Sequence, residues 1–161
     1  MIFITLGSQK FQFNRLLIEL DRLVETKVIE EEIFAQIGYS DYRPKNFEYK
    51  EFLDREEFLK AISSCDKVIT HGGTGAIVGA IKQSKKVIAI PRLSIYKEHV
   101  DNHQLQIVTQ FDEMKLIKGV IEISNLKDAY ISLEDIKFKE YRSDTQKVIE
   151  SIESFIIDLN K

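Results

Sequence analysis

Short apolar runs rich in β-formers alternate with amphipathic segments along most of this chain, and that alternation constrains the fold more than any other feature. The runs IFITL (2–6), EIFAQIG (32–38), the weaker FEYKEF (47–52), KVIT (67–70), KVIAI (86–90) and VIEI (120–123) read as strands. Between them, residues 13–25 place Leu16, Leu17, Leu20, Leu23 and Val24 at helical spacing, and residues 54–65 open on Asp54 as a candidate N-cap. Residues 75–84 and 99–111 read as further helices, and residues 143–159 carry Val148, Ile149, Ile152, Phe155, Ile156 and Leu159 on one helical face. Strands separated by helices predict an α/β fold, a Rossmann-like open parallel sheet with helices on both faces. No internal repeat, low-complexity linker or boundary divides the sequence, so a single domain over 1–161 is expected.

Composition narrows the function classes. A net charge of -3 argues against a nucleic-acid binder, which would usually show a basic excess. Cys65 is the one cysteine, so no internal disulfide can form, which suits a reducing compartment. The start MIFITLGSQK lacks the basic head and apolar stretch of a signal peptide. No apolar run approaches the roughly 20 residues that span a bilayer. A cytoplasmic protein is expected, one that reaches a membrane only through a partner or at its surface.

Four of the chain's 7 glycines, Gly72, Gly73, Gly75 and Gly79, fall within VITHGGTGAIVG (68–79), which is where the fold must turn from strand to helix. Two readings stand. A helix beginning near Thr74 would offer unpaired N–H groups and a positive dipole end to a diphosphate, with the glycines allowing close approach of the backbone. Alternatively the turn merely needs positive φ and close packing. The glycines alone do not decide between them. The pattern is neither the Walker P-loop nor the GxGxxG fingerprint, and no acidic residue ends a following strand where it could hold a ribose, so a nicotinamide enzyme is not expected.

A second polar cluster follows KVIAIPR: YKEHVDNHQ (96–104) gathers Glu98, His99, Asp101, Asn102, His103 and Gln104 just past a strand end. His99 and His103 are four apart and would share a helix face, as zinc ligands do, but there is no glutamate after the first histidine and no cysteine nearby, so no metal is expected. An ordinary capped helix start is one alternative. A rim for a hydroxyl-rich ligand is the other, since amides, carboxylates and imidazoles both donate and accept.

TLGS, THGGTGAI, KVIAIPR and EHVDNHQ occur in this order, and together they resemble the nucleotide-sugar-binding C-terminal half of GT-B glycosyltransferases of family 28. The sequence is also similar to the soluble subunits of bipartite capsule and exopolysaccharide glycosyltransferases and to the catalytic subunit of the dolichol-linked GlcNAc transferase. The resemblance covers residues 1 to about 123. It implies that Gly7, Ser8 and Gln9 approach the donor diphosphate or the acceptor, and that His71, Gly72, Gly73, Thr74 and Gly75 form the phosphate loop. It implies that His103 and Gln104, joined by Asn102, read the sugar hydroxyls. Where GlcNAc-transferring relatives place a ribose-binding glutamate, this sequence has Gly79, so Glu98 or a partner residue is the substitute expected.

The activity so implied is inverting hexosyl transfer from a UDP-sugar, with UDP-galactose and a β-1,4 linkage to a lipid-linked glycan as the expected chemistry in capsule or exopolysaccharide synthesis. A UDP-GlcNAc transferase subunit and a non-catalytic sugar-nucleotide-binding subunit are the alternatives. Charge on the leaving UDP would be met by the helix start, by backbone N–H groups and by His71, in protonated form, as a candidate catalytic residue. No DxD motif appears, and no cofactor is expected beyond the donor itself. A GT-B active site lies between two Rossmann-like domains, so the resemblance implies a second, membrane-associated subunit that binds the lipid-linked acceptor and recruits this chain to the inner membrane face. Residues 143–159 are a candidate docking helix, although base rates favour a terminal helix packed on its own sheet.

Overall fold

A computed structural model describes residues 1–143. Six parallel strands form one open sheet: β1 (Ile2–Thr5), β2 (Ile33–Gln36), β3 (Glu48–Lys50), β4 (Lys67–His71), β5 (Lys86–Ile90) and β6 (Lys118–Gly119). The strand order is β3-β2-β1-β4-β5-β6. Among the described residues five helices cover the faces: α1 (Asn14–Glu25), α2 (Arg55–Ser64), α3 (Thr74–Ile81), α4 (His103–Glu113) and α5 (Leu126–Ser132). The open parallel sheet with helices on both faces is the fold expected from the alternation. The tail expected as an amphipathic helix over 143–159 lies, after Ser143, outside the described residues.

β1 is the centre of the sheet and shows why both sides must be apolar. It pairs with β2 (Ile2↔Ile33, Thr5↔Gln36) and with β4 (Ile2↔Lys67, Thr5↔Thr70). Alternate side chains leave on opposite faces. Ile2 and Ile4 join the core under α1 and α5, with Leu16, Leu17, Leu20, Leu126 and Leu133. Phe3 joins the core under α2, α3 and α4, with Ile62, Ile77, Ala80 and Val108. α2 starts as its sequence suggests. Asp54 Oδ1 accepts the Glu57 N–H at 2.8 Å, and Glu57 Oε2 accepts the Asp54 N–H at 3.1 Å, a reciprocal capping box.

Two boundaries differ most from the sequence reading. The last strand is Lys118–Gly119 rather than 120–123. Gly119 N–H donates to Asp112 Oδ1 at 2.7 Å, and a Cβ at Gly119 would lie 3.0 Å from Asp112 Cβ, so the ladder is drawn against α4 at this glycine. Val120 makes one more bond, its N–H to Ala89 O at 2.9 Å, before the chain turns into a 3-10 turn at Ile123–Asn125. The second boundary is the start of α4, at His103 and not at 99, because Asp101 Oδ1 accepts the His103 N–H at 3.0 Å and stops the helix there.

The chain runs outward from β1 through β2 to β3, then returns to β4 on the other side of β1. The sheet therefore has its topological switch point between β1 and β4, and a crevice opens at their carboxyl ends. Those ends are Leu6-Gly7 and His71-Gly72.

Candidate functional site

A cavity of about 670 Å³ lies at this switch point. Gly7, Ser8 and Gln9 form one wall after β1, and His71, Gly73, Thr74 and Gly75 form the floor after β4. His103 and Gln104 enter from the start of α4. A third wall comes from α2 and the residues before it: Leu53, Asp54, Arg55, Phe58 and Leu59. Nine of the residues expected at a donor site thus surround one space.

His71 is the group around which the two glycine loops close. Gly7 has φ +73°, and a Cβ on it would lie 2.8 Å from His71 Cε1. A Cβ on Gly73 would collide with the same ring. The bare backbone at these two positions is thus needed to seat an imidazole between two loops. Thr70 Oγ1 donates to Thr5 O at 2.9 Å, so its proton is taken. His71 Nδ1 lies 3.3 Å from Thr70 Oγ1 and 3.4 Å from Thr5 O. Both neighbours present lone pairs, which assigns the proton to Nδ1 and leaves Nε2 as an acceptor between Gly7 and Gly73. Burial, followed by the nearby Arg92 charge, pushes the pKa of His71 down to about 4. The imidazole is neutral at pH 7, so the expected protonated form is not that of the ligand-free protein.

α3 begins directly behind this ring. Gly73 is its N-cap and supplies no side-chain oxygen, so nothing from the cap occupies the N–H groups of the first turn. Ile77 N–H makes the first helical bond, to Gly73 O at 3.1 Å. The N–H groups of Thr74, Gly75 and Ala76 precede it, and all three residues line the cavity. At Gly75 an added Cβ would meet nothing within 4 Å.

Gln104 is buried, and its Oε1 accepts two backbone N–H groups, from Gly72 at 3.1 Å and Arg92 at 3.0 Å. The side chain thereby ties the phosphate-loop candidate to the β5–α4 connection. His103 is half exposed at the mouth, and its ring meets the Asp101 carboxylate. The atoms of His99, Asp101 and His103 that could ligate a metal lie within 4.8 Å of one another, and they are engaged in the hydrogen bonds of the helix start.

Gly72, Glu98 and Asn102 do not line the cavity. A Cβ on Gly72 would sit 2.8 Å from Gln104 Cβ and 2.9 Å from Val108 Cγ2, so this glycine serves close packing on α4. Glu98 is fully buried and accepts from Arg15 Nε at 2.9 Å and Arg15 Nη2 at 3.0 Å, and from Leu93 N–H at 3.0 Å. Its carboxylate faces Arg15 and not a ribose. Asn102 Oδ1 accepts the N–H and hydroxyl of Ser94, at 2.9 and 3.0 Å.

Two arginines were missed in the sequence. Arg55, at the first position of α2, lines the cavity as an exposed cation. Arg92 is wholly buried beneath the first glycine loop, where Nη2 donates to Leu6 O at 2.8 Å and Phe11 O at 3.2 Å. Arg55 stands in no motif, and Arg92 closes KVIAIPR without having been given a role there. Only the Arg after KVIAIP offered a signal, and a lone arginine after a strand end is commonplace.

An open parallel sheet with a glycine-lined cavity at its switch point, faced by a helix start, defines a Rossmann-like ligand-binding domain. The sequence matches the glycosyltransferase family 28 C-terminal domain over residues 1–157, and the chain belongs to that family. It is similar to the UDP-N-acetylglucosamine transferase subunit ALG13 of Kluyveromyces lactis, 31% identical over 101 residues, 63% of this chain and 43% of that protein. ALG13 of Candida albicans is 30% identical over 77 residues, 48% of this chain and 25% of its own length. The chain thus spans less than half the length of these curated relatives.

Among solved structures, the fold matches an NMR structure of ALG13 with a TM-score of 0.61 at 16% identity, covering 94% of this chain and 93% of that one. It matches Acinetobacter baumannii MurG with a TM-score of 0.56 at 20% identity, covering 83% of this chain and 40% of that one. The glycotransferase of kitacinnamycin gives a TM-score of 0.60 at 17% identity, with 82% and 34% covered. These likenesses show the fold: the six-stranded sheet corresponds to the C-terminal half of GT-B glycosyltransferases. Among the described residues no helix is long and apolar enough to cross a membrane.

Proposed function

We propose that this chain is the donor-binding, catalytic subunit of a UDP-sugar-dependent glycosyltransferase, an inverting hexosyltransferase acting with a membrane-associated second subunit. The observation that carries the reading is the convergence of Gly7–Gln9, His71, the uncapped start of α3, and His103 with Gln104 on one cavity at the β1–β4 switch point. In this reading the diphosphate lies at Thr74–Ala76, where N–H groups and the helix dipole stabilise the charge that develops on leaving UDP. Arg55 adds a cation on the facing wall. The sugar lies toward His103 at the mouth.

His71 then acts through a change of protonation. An anion beside the ring favours the charged imidazolium and opposes the burial that keeps the ligand-free ring neutral. Donor binding therefore draws a proton onto Nε2, and the resulting cation stabilises the leaving group. No cofactor is needed for this chemistry, since the donor is a substrate.

For the donor we favour UDP-galactose, with β-1,4 transfer to a lipid-linked glycan in capsule or exopolysaccharide synthesis, on the motif pairing HGGTGAI…EHVDNHQ. UDP-GlcNAc is the second reading, favoured by the similarity to ALG13. That similarity to a transferase subunit also supports the dependence on a partner, which would hold the lipid-linked acceptor and bring this chain to the cytoplasmic face of the membrane. The test is a transfer assay on lipid-linked acceptor with either donor, with and without membranes carrying the partner. Turnover only when both are combined is the result expected. Equal turnover by the purified chain alone would overturn the two-subunit reading, and absence of UDP binding by calorimetry would overturn the donor site.

A further inference from the structure

We propose that Arg92 is the positioning residue of the cavity, a buried clamp that fixes the first glycine loop against the β5–α4 connection and so sets the gap in which His71 sits. Arg92 follows Pro91, directly after β5. One nitrogen, Nη2, donates to Leu6 O and Phe11 O, the carbonyls on either side of the Gly7–Lys10 loop. The backbone N–H of the same residue donates to Gln104 Oε1, which also holds Gly72 N–H. Arg92 thereby ties the loop after β1 to Gln104, and through Gln104 to the loop after β4 and the start of α4.

The chemistry of the side chain shows that it does more than fill space. Its exposure is 0%, yet Nε and Nη1 have no hydrogen-bond partner among the described residues. Burying a guanidinium with two unpaired nitrogens is costly, and a methionine of similar reach would occupy the same core without that cost. Burial pushes its pKa down to about 10, with the Glu98 charge opposing. The Phe13 ring, 5.5 Å from the guanidinium carbon, and the Glu98 charge are its compensations, and Glu98 is already paired with Arg15. What a methionine cannot supply is a donor nitrogen that reaches both carbonyls, or a positive charge near His71. The charged and titratable groups acting on His71 are Arg92 and His99, both of which favour the neutral ring. The clamp thus fixes the position of the imidazole and adds its charge to the burial that keeps the ring neutral.

The inference rests on the donor-site reading only for its consequence in binding; the clamp itself is measurable in the ligand-free protein. The experiment compares wild type with R92M and R92K, each checked for a folded circular dichroism spectrum, by amide hydrogen exchange over residues 7–11, NMR titration of His71 and calorimetry with UDP. Exchange about tenfold faster in both variants is expected, as loop opening becomes easier. The His71 pKa should rise in R92M and stay low in R92K, which keeps the charge on a shorter side chain that does not hold both carbonyls. UDP should bind about tenfold more weakly to R92M. Wild-type exchange rates over 7–11 in either folded variant, or an unmoved His71 titration in R92M, would overturn the clamp. Should R92M fail to fold, faster exchange in R92K with His71 still low supports the clamp, and unchanged exchange overturns it. Failure of the wild type to bind UDP would fall on the donor reading alone.

Discussion

The imidazole of His71 occupies the space that a side chain on Gly73 would need: a Cβ there would strike Nε2 and lie 3.0 Å from both Cδ2 and Cε1. Gly73→Ala should therefore displace the buried ring, costing about 1–3 kcal/mol for overpacking. In a His71→Ala background the same change should cost far less, because the colliding group is gone. Denaturant unfolding of the four members of this cycle measures the coupling. Equal cost in both backgrounds would show that the collision is not what Gly73 avoids.

The neutral state of His71 carries a stability signature. Its folded pKa of about 4 lies below the ordinary value of 6.5, so between those pH values the unfolded chain binds more protons than the folded one. Stability is fully present above pH 6.5 and is lost as pH falls toward 4, on the order of 3 kcal/mol if the whole shift is realised. His71→Gln should flatten that part of the stability–pH curve, measured by urea unfolding at several pH values. The same linkage gives a sign for ligand binding. Because an adjacent diphosphate raises the ring's proton affinity, UDP-galactose should bind more tightly as pH falls from 8 to 5.5, with proton uptake that His71→Gln abolishes. Calorimetry in buffers of different ionisation enthalpy reads this directly; no uptake in the wild type would remove His71 from the phosphate.

Away from the cavity, Asp21 holds the segment after β2. It is a buried carboxylate on α1 that accepts from the Tyr42 hydroxyl at 2.6 Å, Lys45 N–H at 2.9 Å and Asn46 N–H at 2.8 Å. Hydrogen bonding to Asp21 pushes the Tyr42 phenol up to about 12. Asp21→Ala should cost about 2–3 kcal/mol, since it leaves three donors without their charged acceptor. Tyr42 should then titrate nearer 10, and UDP affinity should be unchanged. A shifted UDP affinity in the folded variant would show that the 42–46 segment reaches the cavity.

The sheet was legible because its strands are short, apolar and separated by amphipathic stretches, and β1 at the centre has no polar face to confuse the pattern. The crevice was legible because glycines cluster where β4 must turn. What escaped were interactions between distant positions. The Arg92 clamp spans 86 residues to Leu6, and nothing local to Arg92 distinguishes it from a surface arginine. Glu98 and Asn102 stood in a polar cluster that reads as a ligand rim, yet their side chains satisfy Arg15 and Ser94. The apolar alternation of Val120 to Ile123 looked like a strand, while pairing is set by Gly119 against Asp112, a contact the alternation does not encode.

The last prediction separates two adjacent residues expected to share one role. Gln104 is 3% exposed, and its carbonyl oxygen is occupied by Gly72 and Arg92 N–H groups, so truncation to Ala would release two buried donors and loosen both loops at once. Gln104→Ala should therefore weaken UDP and UDP-galactose by similar factors and destabilise the fold by about 1–3 kcal/mol. His103 stands half exposed at the mouth, with Asp101 as its partner. A polar group placed to meet a sugar hydroxyl discriminates against ligands that leave it unpaired. His103→Ala should accordingly weaken UDP-galactose several-fold while leaving UDP and stability nearly unchanged. Parallel calorimetry with the two ligands on both variants is the measurement. Sugar-selective loss in Gln104→Ala, or equal loss of both ligands in His103→Ala, would reverse the assignment of the sugar-facing residue.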